Sequence, residues 1–225
     1  MSARLESFQW LPAVADGWET PELPFGELFT AVQGANGSGK TPVMKGIMVA
    51  LGHELDLPPE IRRHCESARL RLSVDGRSIT LTRRTPQTRD DFLLKVDDGE
   101  EIEEFTEPRV FAEWMVKLLG GVQRALTDKG GKPTEIYSNV LVPAFWVDQD
   151  SGWTTAYFVP PDRNFIRDQR QEVIRFLTGL PPRHPFRDKS EFERAKDDAE
   201  KAEKDVELQR YAVENLRTGL GIVDG

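Results

Sequence analysis

The segment at residues 34–41, which reads GANGSGKT, constrains this chain of 225 residues more than any other part of its sequence. It satisfies the pattern GxxxxGK[ST] at every required position. Glycines permit backbone conformations that side chains forbid, so successive N–H groups of such a loop can point inward at phosphate oxygens. We therefore expect a nucleoside triphosphate to bind here. The predicted cofactor-binding residues of this segment are Gly34, Ala35, Asn36, Gly37, Ser38, Gly39, Lys40 and Thr41.

The sequence on either side of the loop predicts the order strand, loop, helix. An apolar, β-prone run at 29–33 precedes the loop, and apolar residues at helical spacing follow it until Gly52. The positive end of the helix dipole would then face the phosphates. Lys40 would reach the β- and γ-phosphates and the Thr41 hydroxyl would bind Mg²⁺, so ATP and Mg²⁺ are the predicted cofactors. Pro42 fits the first helical turn, where a missing N–H is tolerated.

The remaining sequence up to residue 188 predicts further strands and helices. The dipeptide Asp75-Gly76 favours a type I′ turn between two strands at 68–74 and 77–83. The other predicted elements are a third strand at 92–96, an acidic solvated loop at 97–104, a helix at 111–119, a buried strand at 140–147 and a helix at 170–177. We expect an α/β fold class, with mixed or antiparallel sheet elements, in one domain at 1–188.

A different pattern begins at Ser190. Ser190 and Glu193 have the form of a capping box, and a mostly apolar seam then follows alternating steps of three and four residues to Leu220. Such a seam requires a partner helix, so we expect a coiled-coil arm at 189–220 and a short tail at 221–225. The alternative is a single amphipathic helix that packs back against the core.

Composition limits the classes of protein. With a formal net charge of −8, the chain is not expected to coat nucleic acid along its whole length. Cys65 is the only cysteine, which excludes an intrachain disulfide. No run approaches the ~20 apolar residues of a membrane span. We therefore expect a cytoplasmic protein, associated with the nucleoid if it is bacterial.

The string GANGSGKT, followed by a helix that ends in VALG at 49–52, resembles the N-terminal lobe of the SMC, RecN and SbcC-type ATPases. Arg62 and Arg63, about twenty residues beyond the loop, occupy the place where these families carry an arginine directed at nucleotide or DNA. Gln149, in the segment FWVDQDSGW, is similar to their Q-loop glutamine. A heptad helix begins where their coiled-coil arm would leave the head. The resemblance implies the P-loop NTPase fold of an ABC-type ATPase head, as its N-terminal lobe.

The resemblance also implies roles for single residues. Gln149 would complete the Mg²⁺ shell beside Thr41 and sense the γ-phosphate, so the predicted catalytic residues are Lys40 and Gln149. Asn36 would lie beside the γ-phosphate. One of the two arginines at 62 and 63 would contact phosphate or DNA.

The residues themselves leave alternatives open at these positions. Gln149 is also interpretable as an ordinary loop residue, and Arg62 and Arg63 as ordinary surface charges. Asp148 follows an apolar run, as a Walker B aspartate does, although no Glu comes after it.

The sequence departs from these families in two motifs. It contains no LSGGQ-like signature and no apolar strand that ends in Asp-Glu, and in these families both belong to a C-terminal lobe. The resemblance thus implies half an active site, which needs a C-terminal lobe from the rest of the protein or from another chain. Two such heads would sandwich two ATP molecules, and hydrolysis by this chain alone would be negligible.

The expected function is an ATPase that dimerises on ATP and acts on DNA in repair, chromosome organisation or defence against foreign DNA. The alternatives are a small P-loop kinase and a non-catalytic, nucleotide-controlled assembly module.

One segment is basic within this acidic chain. Residues 61–95 carry nine arginines and lysines against four acidic residues. On alternate positions of the predicted hairpin, Arg69 and Arg71 would share one face and could follow phosphates without reading bases. We expect sequence-independent DNA binding here. The alternative is a charged surface that prevents aggregation of an edge strand.

Overall fold

The computed structural model describes residues 2–15, 17–88, 91–121, 125–147 and 165–185, together with Val206 and Gln209. Contacts divide the chain into two units, Met1–Pro185 and Phe186–Gly225. In the second unit, Val206 and Gln209 are helical and exposed. The rest of the arm predicted at 189–220 lies outside the described residues, so the coiled coil stays a prediction.

A six-stranded antiparallel sheet is the framework of the first unit. The strands are β1 (Ala3–Pro12), β2 (Leu23–Pro24), β3 (Cys65–Val74), β4 (Arg77–Arg84), β5 (Leu94–Asp97) and β6 (Ile102–Phe105). Their order in the sheet is β2-β1-β3-β4-β5-β6, and each neighbouring pair is antiparallel. Alternate side chains of β3 are buried and exposed, so one face of the sheet packs on the core and the other meets solvent.

Helices accompany the sheet, so the described chain is mixed α/β with an antiparallel sheet. They are α1 (Lys40–Ala50), α2 (Pro59–His64), α3 (Pro108–Leu118), α4 (Ser138–Leu141) and α5 (Gln169–Leu177), with a 3₁₀ turn at Val142–Ala144 and a short hairpin of β7 (Leu126–Thr127) with β8 (Pro133–Thr134). The helices predicted at 111–119 and 170–177 are thereby confirmed. Within the described ranges, every helix is too short or too polar to cross a bilayer.

The turn between β3 and β4 agrees with its prediction. Asp75 and Gly76 have φ angles of 49° and 84°, and a type I′ turn requires positive φ at both central residues. Val74 pairs with Arg77 directly beside the turn. The two-residue sequence therefore fixes the register of the hairpin.

Helix α1 packs against the inner face of the sheet at short distance. Gly46 permits this approach, because a Cβ atom on it would lie 2.3 Å from Phe8 Cζ and 2.7 Å from Trp10 Cζ2. Both rings are buried. The Trp10 indole N–H donates a hydrogen bond to the Pro42 carbonyl at 3.3 Å, so the first turn of α1 is attached to β1.

The other end of α1 is closed by its own backbone and by β4. Gly52, with a φ of 82°, donates to the Val49 carbonyl at 2.9 Å, and His53 donates to the Met48 carbonyl at 3.0 Å. This arrangement is a Schellman motif, and it confirms the predicted stop at Gly52. Arg83 Nη1 donates to the carbonyls of Val49 and His53 at 3.3 and 3.1 Å.

Arg83 is a buried cation at the negative end of the α1 dipole. Its guanidinium lies 4.4 Å from the centre of the Phe92 ring. Burial lowers the pKa of Arg83 to about 10, so the side chain stays charged at neutral pH. Nearby, the Asn139 carboxamide oxygen of α4 accepts a hydrogen bond from the Glu54 N–H at 2.6 Å. Side chains from β1 and β4 thus fix the two ends of α1, and Asn139 of α4 holds the segment that follows it.

The predicted strand at 29–33 is wrong. These residues lie outside the strands of the described chain, and Phe29 is 81% exposed. Leu28, just before them, is fully exposed. Strand propensity measures how well side chains pack on a sheet, and it is not realised where no neighbouring strand is available.

The predicted strand at 140–147 is also wrong, since the run forms the end of α4 and the 3₁₀ turn after it. Val140, Leu141 and Val142 are buried as predicted. A short buried apolar run does not distinguish helix from strand by periodicity. Pro143 lies at the start of the 3₁₀ turn, where a missing N–H is tolerated.

The acidic segment at 97–104 forms a hairpin instead of the predicted loop. The Asp98 carboxylate accepts hydrogen bonds from the N–H groups of Glu100 and Glu101, both at 3.1 Å, and Arg77 donates to it at 2.7 Å. The backbone hydrogen bond from Glu101 is the main cause that lowers the pKa of Asp98. These contacts hold a tight turn, and pairing of β6 with β5 outweighs the low strand propensity of the acidic residues.

Replacing Gly46 by Ala should destabilise the first unit. Ala normally stabilises a helix interior by about 1 kcal/mol relative to Gly. Here the new methyl group would overlap the rings of Phe8 and Trp10, and overpacking of a core costs about 1–3 kcal/mol. We expect a net fall in the free energy of unfolding, measured by urea denaturation. Met44→Ala, at a half-exposed position of the same helix, is the control. A Gly46 variant as stable as the parent would contradict the close packing.

Candidate nucleotide-binding site

The segment at 34–41 forms a tight loop that ends in the first turn of α1. The Ser38 N–H donates to the Ala35 carbonyl at 3.2 Å, which closes the turn. Gly37 and Gly39 have φ angles of 80° and 85°, in the left-handed region that glycine adopts without strain. The sequence predicted conformations that need glycine at Gly34, Gly37 and Gly39. Gly37 and Gly39 agree with this prediction, whereas Gly34 is not in the left-handed region, and a Cβ atom on it would lie 2.4 Å from Ser38 Oγ.

Gly39 is the N-cap of α1, and no side chain of the described chain caps this helix end. Its carbonyl accepts the first helical hydrogen bond, from the Val43 N–H at 3.1 Å. The backbone N–H groups of Lys40 and Thr41 precede that bond, at the positive end of the helix dipole. A helix start of this kind, with a glycine cap, half-buried Lys40 and exposed Thr41, suits an anion.

The ammonium group of Lys40 lies over the loop. Lys40 Nζ donates to the carbonyls of Gly34 and Ala35, both at 2.7 Å, and lies 3.5 Å from Ser38 Oγ. The lysine side chain therefore folds back from the first turn of α1 and brings a positive charge to the start of the loop. The described contacts thus bring four of the predicted residues together.

Thr41 and Asn36 are exposed at the same site. Mg²⁺ usually keeps several waters and binds one or two protein groups besides nucleotide phosphates. A single hydroxyl in the first turn, such as that of Thr41, fits this mode of binding.

The two candidate arginines lie on α2, in different surroundings. Arg62 Nη2 is 3.2 Å from the Asp56 carboxylate, and Arg63 is exposed. The structure therefore places the Arg62 guanidinium with Asp56, whereas the loop contacts described above come from 34–41 itself. A role for either arginine toward nucleotide or DNA stays a prediction.

Gln149 and Asp148 lie outside the described residues. The chain before them is described as far as Val147, which is 65% exposed, and Phe145 is 69% exposed. The Q-loop role of Gln149 and the Walker B alternative at Asp148 therefore stay predictions from the sequence.

Arg69 and Arg71 are exposed on the outer face of the sheet, as the hairpin pattern predicted. Five basic side chains of the segment 61–95, Arg71 among them, are paired with acidic ones. These pairs are Arg62 with Asp56, Arg71 with Glu22, Arg77 with Asp98, Arg84 with Asp91 and Lys95 with Glu104. These pairs neutralise much of the local positive charge, and Arg83 is buried. Arg69, between Gln9 and Thr82 in the register, remains as an exposed cation at the middle of this face.

Sequence reasoning missed the residues that position the loop. Trp10 and Gly46 attach α1 to the sheet, and Arg83 holds its other end. The alternation of buried Phe8 and Trp10 within β1 was a usable signal. Gly46 and Arg83 carried no local signal, because their roles depend on contacts between distant segments.

A scan against the models of known protein families finds no match to this chain, and a search of curated proteins finds no similar protein.

Replacing Gly39 by Ala should lower the stability of the loop through backbone strain alone. A Cβ atom there meets nothing within 4 Å, so no steric overlap contributes. The left-handed conformation costs an L-residue roughly 1–2 kcal/mol. We expect the urea midpoint to fall for Gly39→Ala and to fall less for Gly39→Asn, because Asn tolerates this region better. Equal stability of all three proteins would show that Gly39 is not left-handed in solution.

Proposed function

We propose that this chain binds Mg-ATP at 34–41 and is the nucleotide-binding half of an SMC-like ATPase head. The observation that carries the proposal is the position of the Lys40 ammonium, within hydrogen-bond distance of the Gly34 and Ala35 carbonyls at the start of an uncapped helix. A positive charge beside free backbone N–H groups is the arrangement that a triphosphate requires.

In this proposal each group of the loop has a defined role. Lys40 exchanges its two carbonyl partners for phosphate oxygens, because a hydrogen bond between two charged groups is stronger than one to a neutral carbonyl. The N–H groups at the start of α1 bind further phosphate oxygens. Bound Mg²⁺ neutralises phosphate charge, and the Thr41 hydroxyl holds it beside the loop.

A complementary lobe completes the head in this proposal. The support is the exposed apolar segment that leads into the loop, in which Leu28 is 100%, Phe29 81% and Val32 42% exposed. Contiguous exposed apolar side chains are typical of interaction surfaces. We infer that this segment gains a strand neighbour from the complementary lobe, which also supplies the acid that activates water. Hydrolysis then requires the lobe, whereas nucleotide binding occurs without it and is strengthened by it.

Replacing Lys40 by Ala should abolish stabilisation by Mg-ATP. A ligand at a hundred times its dissociation constant stabilises a folded protein by about 2.7 kcal/mol, which a melting experiment detects easily. Lys45→Ala is the matched control, since Lys45 lies on the same helix away from the loop. We expect the thermal shift to persist in the control and to vanish in the Lys40 variant. An equal shift in both variants would place the nucleotide elsewhere.

The proposed DNA contact lies on the outer face of the sheet. Arg69 has an exposed guanidinium there, with the polar side chains of Gln9 and Thr82 on either side. Backbone phosphates suit such a surface, since arginine and polar side chains commonly bind them without reading sequence. Arg71 contributes less, because Glu22 lies 3.3 Å from it.

If DNA binds this face, its affinity should fall steeply with salt and be insensitive to sequence. Arg69→Ala should weaken binding uniformly and reduce the slope of log affinity against log salt by about 1. Arg77→Ala is the control, because Asp98 already pairs with that guanidinium. Fluorescence anisotropy with a labelled duplex measures both effects. Binding that does not depend on salt would refute the surface.

A further inference from the structure

Three oxygen atoms of the phosphate loop converge on one point, which the Lys40 ammonium occupies. Lys40 Nζ lies 2.7 Å from the carbonyl oxygens of Gly34 and Ala35 and 3.5 Å from Ser38 Oγ. All three atoms can accept a hydrogen bond, and carbonyl and hydroxyl oxygens are also ligands for hard cations. The side chain of Lys40 therefore fills a cation-binding position within its own loop.

The loop holds these oxygen atoms together by contacts of its own. The Ser38 N–H donates to the Ala35 carbonyl at 3.2 Å, which leaves the second lone pair of that oxygen for a cation. Ser38 Oγ packs against Gly34, because a Cβ atom on Gly34 would lie only 2.4 Å from it. Neither contact involves the Lys40 side chain, so we expect the oxygen atoms to stay together when that side chain moves.

Nucleotide binding changes the charge at this position. In the proposed function, Lys40 leaves the two carbonyls and binds phosphate oxygens. Lys40 is the only charged residue between Glu27 and Lys45, so no other side chain of this segment can replace its ammonium. Mg-ATP keeps a net negative charge, and one ammonium balances only part of it. The three oxygen atoms are then left without a cation, beside an anion that favours one.

We propose that a potassium ion replaces the Lys40 ammonium at the oxygen atoms of Gly34, Ala35 and Ser38 when Mg-ATP is bound. The inference rests on the proposed function for the departure of Lys40, and it adds a second cation site to the loop. Potassium has nearly the size of an ammonium ion, whereas Na⁺ is smaller, and carbonyl oxygens can replace the hydration shell of K⁺. The positive end of the α1 dipole opposes a cation, and the bound triphosphate offsets that effect.

The first experiment asks whether the position binds K⁺ once the ammonium is removed, and it needs no nucleotide. The melting temperature of Lys40→Ala is measured in potassium, ammonium, sodium and choline chloride at one ionic strength. An ion at a few times its dissociation constant should raise the melting temperature of a chain of this size by about 2–4 °C. We expect this rise over choline in K⁺ and in NH₄⁺, and none in Na⁺.

Two further variants keep this experiment decisive. Lys45→Ala is the matched control, because it loses an ammonium from the same helix while Lys40 stays in place, and it should show no rise in K⁺. Lys40→Met keeps the apolar stem of the side chain without its charge, and it replaces the Ala variant if that protein does not fold.

The second experiment measures the coupling between K⁺ and Mg-ATP in the parent chain. Isothermal titration calorimetry gives the dissociation constant of Mg-ATP in potassium, sodium and choline chloride at equal ionic strength. Coupling between two bound ligands is typically about 5- to 150-fold, so we expect Mg-ATP to bind at least about fivefold more tightly in K⁺ than in choline. Ser38→Ala removes one of the three oxygen ligands and should reduce this ratio, whatever its effect on each dissociation constant.

The outcomes separate this inference from the proposed function. Equal melting temperatures of Lys40→Ala in K⁺ and choline, or an equal rise in Na⁺, overturn the inference and leave the nucleotide site intact. The same holds for a parent chain that binds Mg-ATP equally well in all three salts, and for a ratio that Ser38→Ala does not change. A parent chain that binds no Mg-ATP in any salt overturns the proposed function, and with it the replacement of Lys40 by K⁺.

Discussion

The close contact between α1 and the sheet at Gly46 is the constraint on which the rest of the first unit depends. Only a residue without a side chain lets the helix approach the rings of Phe8 and Trp10 so closely. At this distance the Trp10 indole reaches the Pro42 carbonyl, and the first turn of α1 is fixed. The loop at 34–41 has few contacts of its own, so the helix that follows it determines its position.

Electrostatics gives the two ends of α1 opposite roles. The end at Gly39 has no side-chain cap among the described residues and carries the Lys40 ammonium, an arrangement that suits an anion. The end at Gly52 has its carbonyls bound by Arg83, a buried cation. Burying a guanidinium is unfavourable by itself, as its lowered pKa indicates, and the two carbonyl bonds and the Phe92 ring offset that cost. The helix is therefore held at its negative end while its positive end stays open to a ligand.

Short sequence motifs predicted the turns and helix ends that they form. The remaining elements depend on contacts between segments that are distant in the sequence. The φ requirements of Asp75-Gly76, Gly52 and the loop glycines are properties of a few adjacent residues, so the sequence sufficed for them. The turn of the hairpin at 97–104 is held partly by Arg77 of β4, and the helical run at 140–147 packs in the core; a periodicity pattern contains neither contact. The role of Arg83 could not be predicted for the same reason. An arginine in a basic segment is normally interpreted as a surface charge, and only the position of α1 shows that this one is buried.

The segment before the loop is the clearest conflict between local preference and observed structure. Residues 29–33 are mostly apolar and β-prone, yet they are exposed and follow an edge strand that ends at Pro24. In sequences that fold well, the local preferences normally agree with the global fold. A conflict between the two is expected mainly at functional sites. A strand neighbour from a second lobe would remove the conflict and attach that lobe directly to the phosphate loop. Assembly and nucleotide binding would then act on one continuous segment, so each would stabilise the other.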